Sequence, residues 1–240
     1  MNRPLEVCLT ALTLAASVAS PLAAQHPAEL RPPLQKGISV EMARSRNAAP
    51  VPDADQEDAL VVAVTHDGRV YLRIEPMTPD ALAARVKKSL SEGRPKALYL
   101  KSDARTSYAD LAKVLDAVRT AGVESVILLT SQPGPRESGT VMPPNGLEVH
   151  LGPWSRYKGN AAEVEVPRPG QQTPRLSINN KEIPASSLKS ALEDFFQNQK
   201  RKVVLLSAHG AVTFSEIVNA LDACRALDAE VVLDPPNPRL

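Results

Sequence analysis

The sequence predicts an α+β chain of two tandem β-β-α-β-α-β domains, each a small mixed sheet with two helices on one face, behind an amino-terminal apolar segment. Three observations predict it. The stretch "LDAVRTAGVESV" at 115–126 returns as "LDACRALDAEVV" at 221–232. Apolar residues recur with helical spacing in some stretches and strand spacing in others. Prolines crowd into 21–52 and 131–174, where neither periodicity survives.

The repeat comes first, because it sets the architecture before local patterns are read. A shift of 106 residues lays Val70–Val126 on Leu176–Val232 without a gap. Leu82 falls on Leu188, Leu100 on Leu206, Ser107 on Thr213 and Tyr108 on Phe214. A weaker echo joins "GISVEM" (37–42) to "GLEVHL" (146–151), which reads as a lead strand in each copy. The expected plan is therefore a membrane anchor or signal peptide at 1–24 and a Pro-rich linker at 25–36. A first domain at 37–130, a Pro/Gly linker at 131–145 and a second, diverged domain at 146–235 follow.

Each element has a local reason. "MNRPLEVCLTALTLAASVASPLAAQ" opens with an apolar run, Val7 to Ala24. It reads as a signal peptide cut after Ala24 or as a single transmembrane anchor of minimal length. "ALVVAVTHDGRVYLRI" is apolar on both sides of Asp67-Gly68, a hairpin signal; "AEVEV" and "PRLSIN" match it across a longer loop. Thr78-Pro79-Asp80 opens a helix with a cap, a first-turn proline and an acid on the positive end of the dipole. Leu82, Val86 and Leu90 line its face; in the second copy Pro184 opens the helix and Leu188, Leu192, Phe195 and Phe196 line it. The strands "ALYLKSD" and "VVLLSAH" each lead into a capped helix. Those helices carry Leu111, Val114, Leu115 and Val118 in one copy and Ile217, Ala220, Leu221 and Cys224 in the other. Strand, helix, strand in this order implies parallel pairs with right-handed crossovers.

Composition narrows the function. The net charge is +1 and aromatics are 3%, with no basic run interleaved with aromatics, so nothing points to nucleic acid. Cys8 and Cys224 give no disulfide framework, and Cys224, in the place of Val118, reads as a buried thiol. The four histidines lack partners at metal-ligand spacing, and no phosphate loop, nucleophile elbow or carboxylate pair is present. No catalytic residue, metal or cofactor is expected. Asp103 and His209 occupy matched positions but differ in chemistry, so both are read as loop or helix caps. Asp116 and Asp222, each three residues before an arginine (Arg119, Arg225), are matched in both copies. They read as exposed ion pairs of roughly 0.2–0.5 kcal/mol, or as a shared partner surface.

The hairpin "HDGRVYL", the junction "DARTSY" and "LDAVRTAGVESVILLT" together resemble the periplasmic domain of the ExbD/TolR family of biopolymer transport proteins. Residues 59–130 carry the resemblance, and 161–235 look like a second, diverged copy. The resemblance implies a single-pass inner-membrane subunit working beside an ExbB/TolQ-like proton channel. It would help convert proton-motive force into work on TonB- or TolA-like partners, with peptidoglycan a further contact. The family's membrane helix begins Pro-Leu-x-Asp-Val; here "PLEV" is one residue shorter and places Glu6 where the proton-carrying acid is expected. That favours the anchor over the signal peptide. The competing reading is a secreted periplasmic adaptor that binds a protein or peptidoglycan without proton coupling. The tandem copies suggest an intramolecular pseudo-dimer.

Overall fold

The computed structural model describes residues 37–93, 97–131, 144–157, 161–168 and 175–233. The apolar segment with Glu6, the 25–36 linker and most of the 131–145 linker lie outside these residues. Among the described residues no helix is long and apolar enough to cross a membrane.

In chain order the first half contains β1 (Ala49–Pro50), β2 (Leu60–Val64), β3 (Val70–Leu72), β4 (Glu75–Met77), α1 (Pro79–Ser91), β5 (Leu98–Ser102), α2 (Tyr108–Thr120) and β6 (Ser125–Thr130). The second contains β7 (Asn145–Leu151), β8 (Ala161–Val166), β9 (Arg175–Ile178), β10 (Lys181–Pro184), α3 (Leu188–Phe196), β11 (Val203–Ala208), α4 (Phe214–Arg225) and β12 (Glu230–Leu233). The expected order is present in both halves, with one strand added to each. β4 and β10 are short third strands, antiparallel to β3 and β9. Their turns hid them in the sequence. Asn179 and Asn180 both have positive φ (49° and 67°), the backbone of a tight I′ hairpin turn, and Arg73 (φ 60°) makes the corresponding bend.

Where the sequence predicts a small sheet for each half, the strands form a single sheet. Its order is β10-β9-β8-β11-β12-β7-β6-β5-β2-β3-β4, with β1 also on β7. β2, β5 and β6 run parallel, as do β8, β11 and β12. The outer hairpin strands are antiparallel. β7 joins the halves: it is antiparallel to β6 over Ser125–Thr130 and parallel to β12 at His150 and Leu151. This also corrects the lead strand expected at 37–42, which does not form. β7 fills the central place, so the matching segment of the first half has no free edge to pair with. It makes only isolated bridges, Met42 with Asp103 and Arg44 with Ser131, before β1 meets the far end of β7. Gly146 sits where a Cβ would lie 2.3 Å from Ile127, so only glycine fits that crossing.

Side chains alternate across the sheet. Val62, Leu100 and Leu128 face the helices, while Val61, Tyr99 and Leu129 face the other way. The helix side is one continuous apolar core that takes in Leu82, Val86, Leu115, Leu188, Leu192 and Leu221, and so runs through both halves. The opposite side carries two small clusters. One is Ala54, Ala59, Val61, Tyr99 and Leu129; the other is Val203, Leu205 and Val232 beneath Trp154 and Tyr157.

The helices form for the expected reasons. Thr78 caps α1 by accepting from the Ala81 amide at 3.3 Å. The predicted faces of α2 and α4 are buried, with Leu115 at 0% and Leu221 at 2% exposure. Gly122, at φ 101°, ends α2 in the left-handed region that glycine enters without strain. Pro184 ends β10 instead of opening a helix; a 3-10 turn, Ala185–Ser187, then leads into α3. Cys224 is buried and free, and burial pushes its thiol pKa up to about 12. That leaves it an inert core residue.

Candidate functional site

The amino termini of α2 and α4 meet. Ser107 and Thr213 form an antiparallel bridge, and the backbone on either side exchanges hydrogen bonds in matched pairs. The Tyr108 amide donates to the Val212 carbonyl at 2.7 Å, and the Phe214 amide donates to the Thr106 carbonyl at 2.8 Å. The Ala109 amide donates to the Gly210 carbonyl at 2.9 Å, and the Ser215 amide to the Ala104 carbonyl at 2.9 Å. Every donor and acceptor in one pair has its counterpart 106 residues away in the other. The halves are therefore related at this point by a local twofold axis, with the two-way contact that such an axis requires.

The chemistry suits the place. The first amides of a helix have no partner inside it, and here each helix receives carbonyls from the loop before the other. Side chains complete the caps. Ser107 accepts from the Asp110 amide and donates to the Asp110 carboxylate at 2.8 Å. Thr213 and Glu216 form a capping box, with the Thr213 amide donating to Glu216 Oε2 at 2.8 Å. Asp110 and Glu216 thereby place a carboxylate at each positive helix end, where two such ends lie side by side. Lys113 and Ser107 hold the Asp110 carboxyl below the usual carboxylate range. Tyr108 and Phe214, the first residues of the two helices, are fully buried beneath the junction.

The matched positions Asp103 and His209 both serve local backbone. Asp103, 5% exposed, accepts from the Glu41 and Arg105 amides and pairs with the Arg105 guanidinium at 2.9 Å. Its carboxyl is held below the usual range, chiefly by the Arg105 side chain. His209 Nδ1 accepts from the Ala211 amide at 3.1 Å. Among the described residues no group of His, Cys, Asp and Glu is spaced to hold a metal ion.

The four residues weighed as a partner surface separate into two pairs with different surroundings. Asp116 and Arg119 form an exposed ion pair along α2. Asp222 does something else: it grips the segment that leads into β1. Its carboxylate accepts from the Ser45 hydroxyl, the Arg46 amide at 3.0 Å, the Asn47 amide at 2.8 Å and Asn47 Nδ2 at 3.0 Å. Asn47 Nδ2 also donates to the Asp222 carbonyl at 3.2 Å. Ser45, 2% exposed, turns back to accept from the Ala48 amide. A segment of the first half is thus fastened to a helix of the second. Arg225 is exposed. Nothing in the residue pattern signals this grip, because Ser45-Arg46-Asn47 matches no motif and its partner lies far along the chain. The junction did leave a sign, the aligned Ser107 and Thr213, which reads from sequence only as two helix caps.

The profile of the family described as "Biopolymer transport protein ExbD/TolR" matches residues 27–133. Over that stretch the chain is similar to the ExbD/TolR family. The matched stretch holds the whole first half, from before the lead segment through β6. A Synechocystis sp. protein named "Putative biopolymer transport protein ExbD" is 25% identical over 128 residues, 53% of this chain and 46% of that one. The "Biopolymer transport protein ExbD" of Pseudomonas aeruginosa is 21% identical over 101 residues, 42% of this chain and 74% of its own length. The chain thus spans about half of the Synechocystis ExbD relative and three quarters of the Pseudomonas one. The ExbD/TolR match ends before β7, so it includes neither the second half nor its side of the junction.

Proposed function

We propose that this chain is an accessory subunit of a proton-motive-force-driven energy-transduction complex that supports biopolymer or nutrient transport or envelope maintenance. The observation that carries the reading is the ExbD/TolR match over residues 27–133. In this reading residues 1–24 anchor the chain in a bacterial inner membrane, with both halves in the periplasm. Glu6 sits in that anchor as the proton-carrying acid, beside an ExbB/TolQ-like channel subunit. The folded halves engage a TonB- or TolA-like protein, and peptidoglycan is a further contact. The role is mechanical and not enzymatic.

The second half is a diverged copy of the first, and the two make an intramolecular pseudo-dimer. The exchange of backbone hydrogen bonds at a constant offset of 106 residues supports that part of the reading. Asp116, Arg119, Asp222 and Arg225 then split in role. Asp222 holds the pseudo-dimer together, while the exposed Asp116–Arg119 pair and Arg225 stay available to a partner.

The test is a tagged, full-length chain expressed in its own bacterium, with the amino terminus read by mass spectrometry. An intact terminus in the membrane fraction, co-purifying with an ExbB/TolQ-like protein, is expected. Glu6→Gln should then abolish energised transport while the protein remains inserted and abundant, because burial keeps such a carboxyl able to carry a proton. A chain that begins at Gln25 in the soluble periplasmic fraction would replace this reading with that of a secreted adaptor.

A further inference from the structure

Lys101 lies on a central strand of the first half, is 2% exposed, and is the single buried lysine or arginine among the described residues. The pleat of β5 puts it there. Leu98 and Leu100 face the helices, so Tyr99, Lys101 and Asp103 face the opposite side. Its register partner on β2 is Ala63, and on β6 it stands beside Leu129, one step beyond the Leu100–Leu128 pair. Both neighbours are apolar. Asp103, the acid two residues along, has its oxygens engaged by the Arg105 guanidinium and by the Glu41 and Arg105 amides. Among the described residues no hydrogen bond or ion pair reaches the Lys101 ammonium, and burial pushes its pKa below the ordinary 10.5.

What covers the lysine is thin. The Met42 backbone bridges to Asp103 while its side chain packs on the cluster of Tyr99 and Leu129, so it passes over the position between them. The 3-10 turn Pro52–Asp55 lies on the same cluster and sinks a single side chain into it, Ala54. Few buried apolar contacts mark a segment that can open by itself, well below the cost of unfolding the whole. The cover is also acidic. Asp53, Asp55, Glu57 and Asp58 crowd into it and the residues just after it. Burial, together with Asp53 and Asp58, pushes the Tyr99 phenol up, so these carboxylates stand around the cluster that adjoins Lys101. The other charged or titratable groups nearby are Glu41 on the lead segment, Arg105 on Asp103, and Tyr71 one strand out beside Ala63.

An ammonium buried without a partner is costly, and it has two remedies. It can give up its proton, or the cover can lift and let it reach water and the acids of the turn. We propose that the turn Pro52–Asp55 and the Met42 side chain form a lid over Lys101 that opens when the lysine carries its proton and closes when it does not. Burial sets the direction. The closed form holds the lysine below its ordinary value, so protons favour the open form. Closure is therefore weakest at low pH, strengthens as pH rises through the closed-form value, and reaches its full strength near the ordinary one. Opening exchanges an apolar patch on the outer side of the first half for a charged one. The inference does not depend on membrane anchoring or on proton coupling through Glu6.

Hydrogen exchange of the full-length protein in detergent, read by mass spectrometry, tests the lid. Protection is taken relative to an unstructured peptide at the same pH. In the wild type, the amides of residues 51–59 should exchange through an opening that is indifferent to low urea, while those of β5 should respond to it. Lys101→Met keeps the length and removes the charge, and should raise protection of 51–59 at least about threefold at roughly pH 7. Lys101→Arg keeps the charge and should leave 51–59 open. Wild-type protection of 51–59 should rise by a similar factor between roughly pH 7 and pH 10, toward the ordinary lysine value, whereas the arginine variant should show no rise. The wild-type comparison across pH stands even where a variant fails to fold. Equal protection in wild type and Lys101→Met, an arginine variant as protected as the methionine one, no rise with pH in the wild type, or one urea dependence shared by 51–59 and β5 would overturn the proposal.

Discussion

Asp116 and Asp222 occupy the same place on α2 and α4, yet they have different work. Asp116 makes a solvent-exposed pair with Arg119, while the Asp222 carboxylate accepts four hydrogen bonds, from the Ser45 hydroxyl, the Arg46 and Asn47 amides and Asn47 Nδ2. The two halves share the backbone exchange at the twofold junction and differ elsewhere. The centre of the sheet shows why. A perfect twofold arrangement would need a lead strand from each half beside the other, but β7 alone stands between β6 and β12. The lead segment of the first half makes only isolated bridges, and Asp222 fastens it. Once one chain supplies both sides of an interface, matched residues no longer have to serve identical purposes.

The largest effect should come from what the halves share. Leu115→Ala and Leu221→Ala each empty part of one continuous core, so each should cost about 2–5 kcal/mol. Both should lower the same cooperative thermal transition, because the core runs through both halves. Two transitions, with each variant moving only its own, would break the picture of a shared core.

The next effect separates the matched acids. Asp222→Ala strips the acceptor from Ser45, Arg46 and Asn47 and should cost about 1–3 kcal/mol. Asp116→Ala removes an exposed pair and should cost no more than about 0.5 kcal/mol. Urea titrations of the two variants side by side measure the difference. Equal losses would mean that the grip on the lead segment adds nothing.

Asp103 gives the comparison a pH dependence. Its folded-state pKa is depressed, so its contribution is fully present above the unfolded carboxylate value near ~3.9 and fades as pH falls through the lower folded value. Melting temperature should therefore drop over the strongly acidic range, and Asp103→Asn should flatten that drop. An unchanged acid limb in the variant would assign the dependence to other carboxylates.

The smallest effect lies in the junction itself. A Cβ on Gly210 would sit 3.2 Å from the Ala109 Cβ, although the matched position in the first half is already alanine, Ala104. Gly210→Ala should lose less than about 1 kcal/mol, since crowding is partly offset by a less flexible unfolded chain. A gain in melting temperature would show that the junction is looser than its hydrogen bonds suggest.

Much of this was legible in the residues. Helical spacing placed the buried faces of α2 and α4, Thr78-Pro79 placed the start of α1, and Asp67-Gly68 placed the hairpin. The added strands β4 and β10 escaped notice because each is short and carries a proline. The shared sheet escaped because two similar lead sequences imply two similar strands, and only spatial competition decides which of them pairs. The junction is made of backbone amides and carbonyls, which leave no residue-type signature beyond the caps.

The central claim is that the twofold pairing is made within one chain. The most direct measurement is the solution mass of residues 25–240 by light scattering, with small-angle scattering for shape. The account predicts the mass of a single chain in a compact particle, unchanged over a wide range of protein concentration. A stable dimer, or a single chain whose halves scatter as two independent bodies, would contradict it.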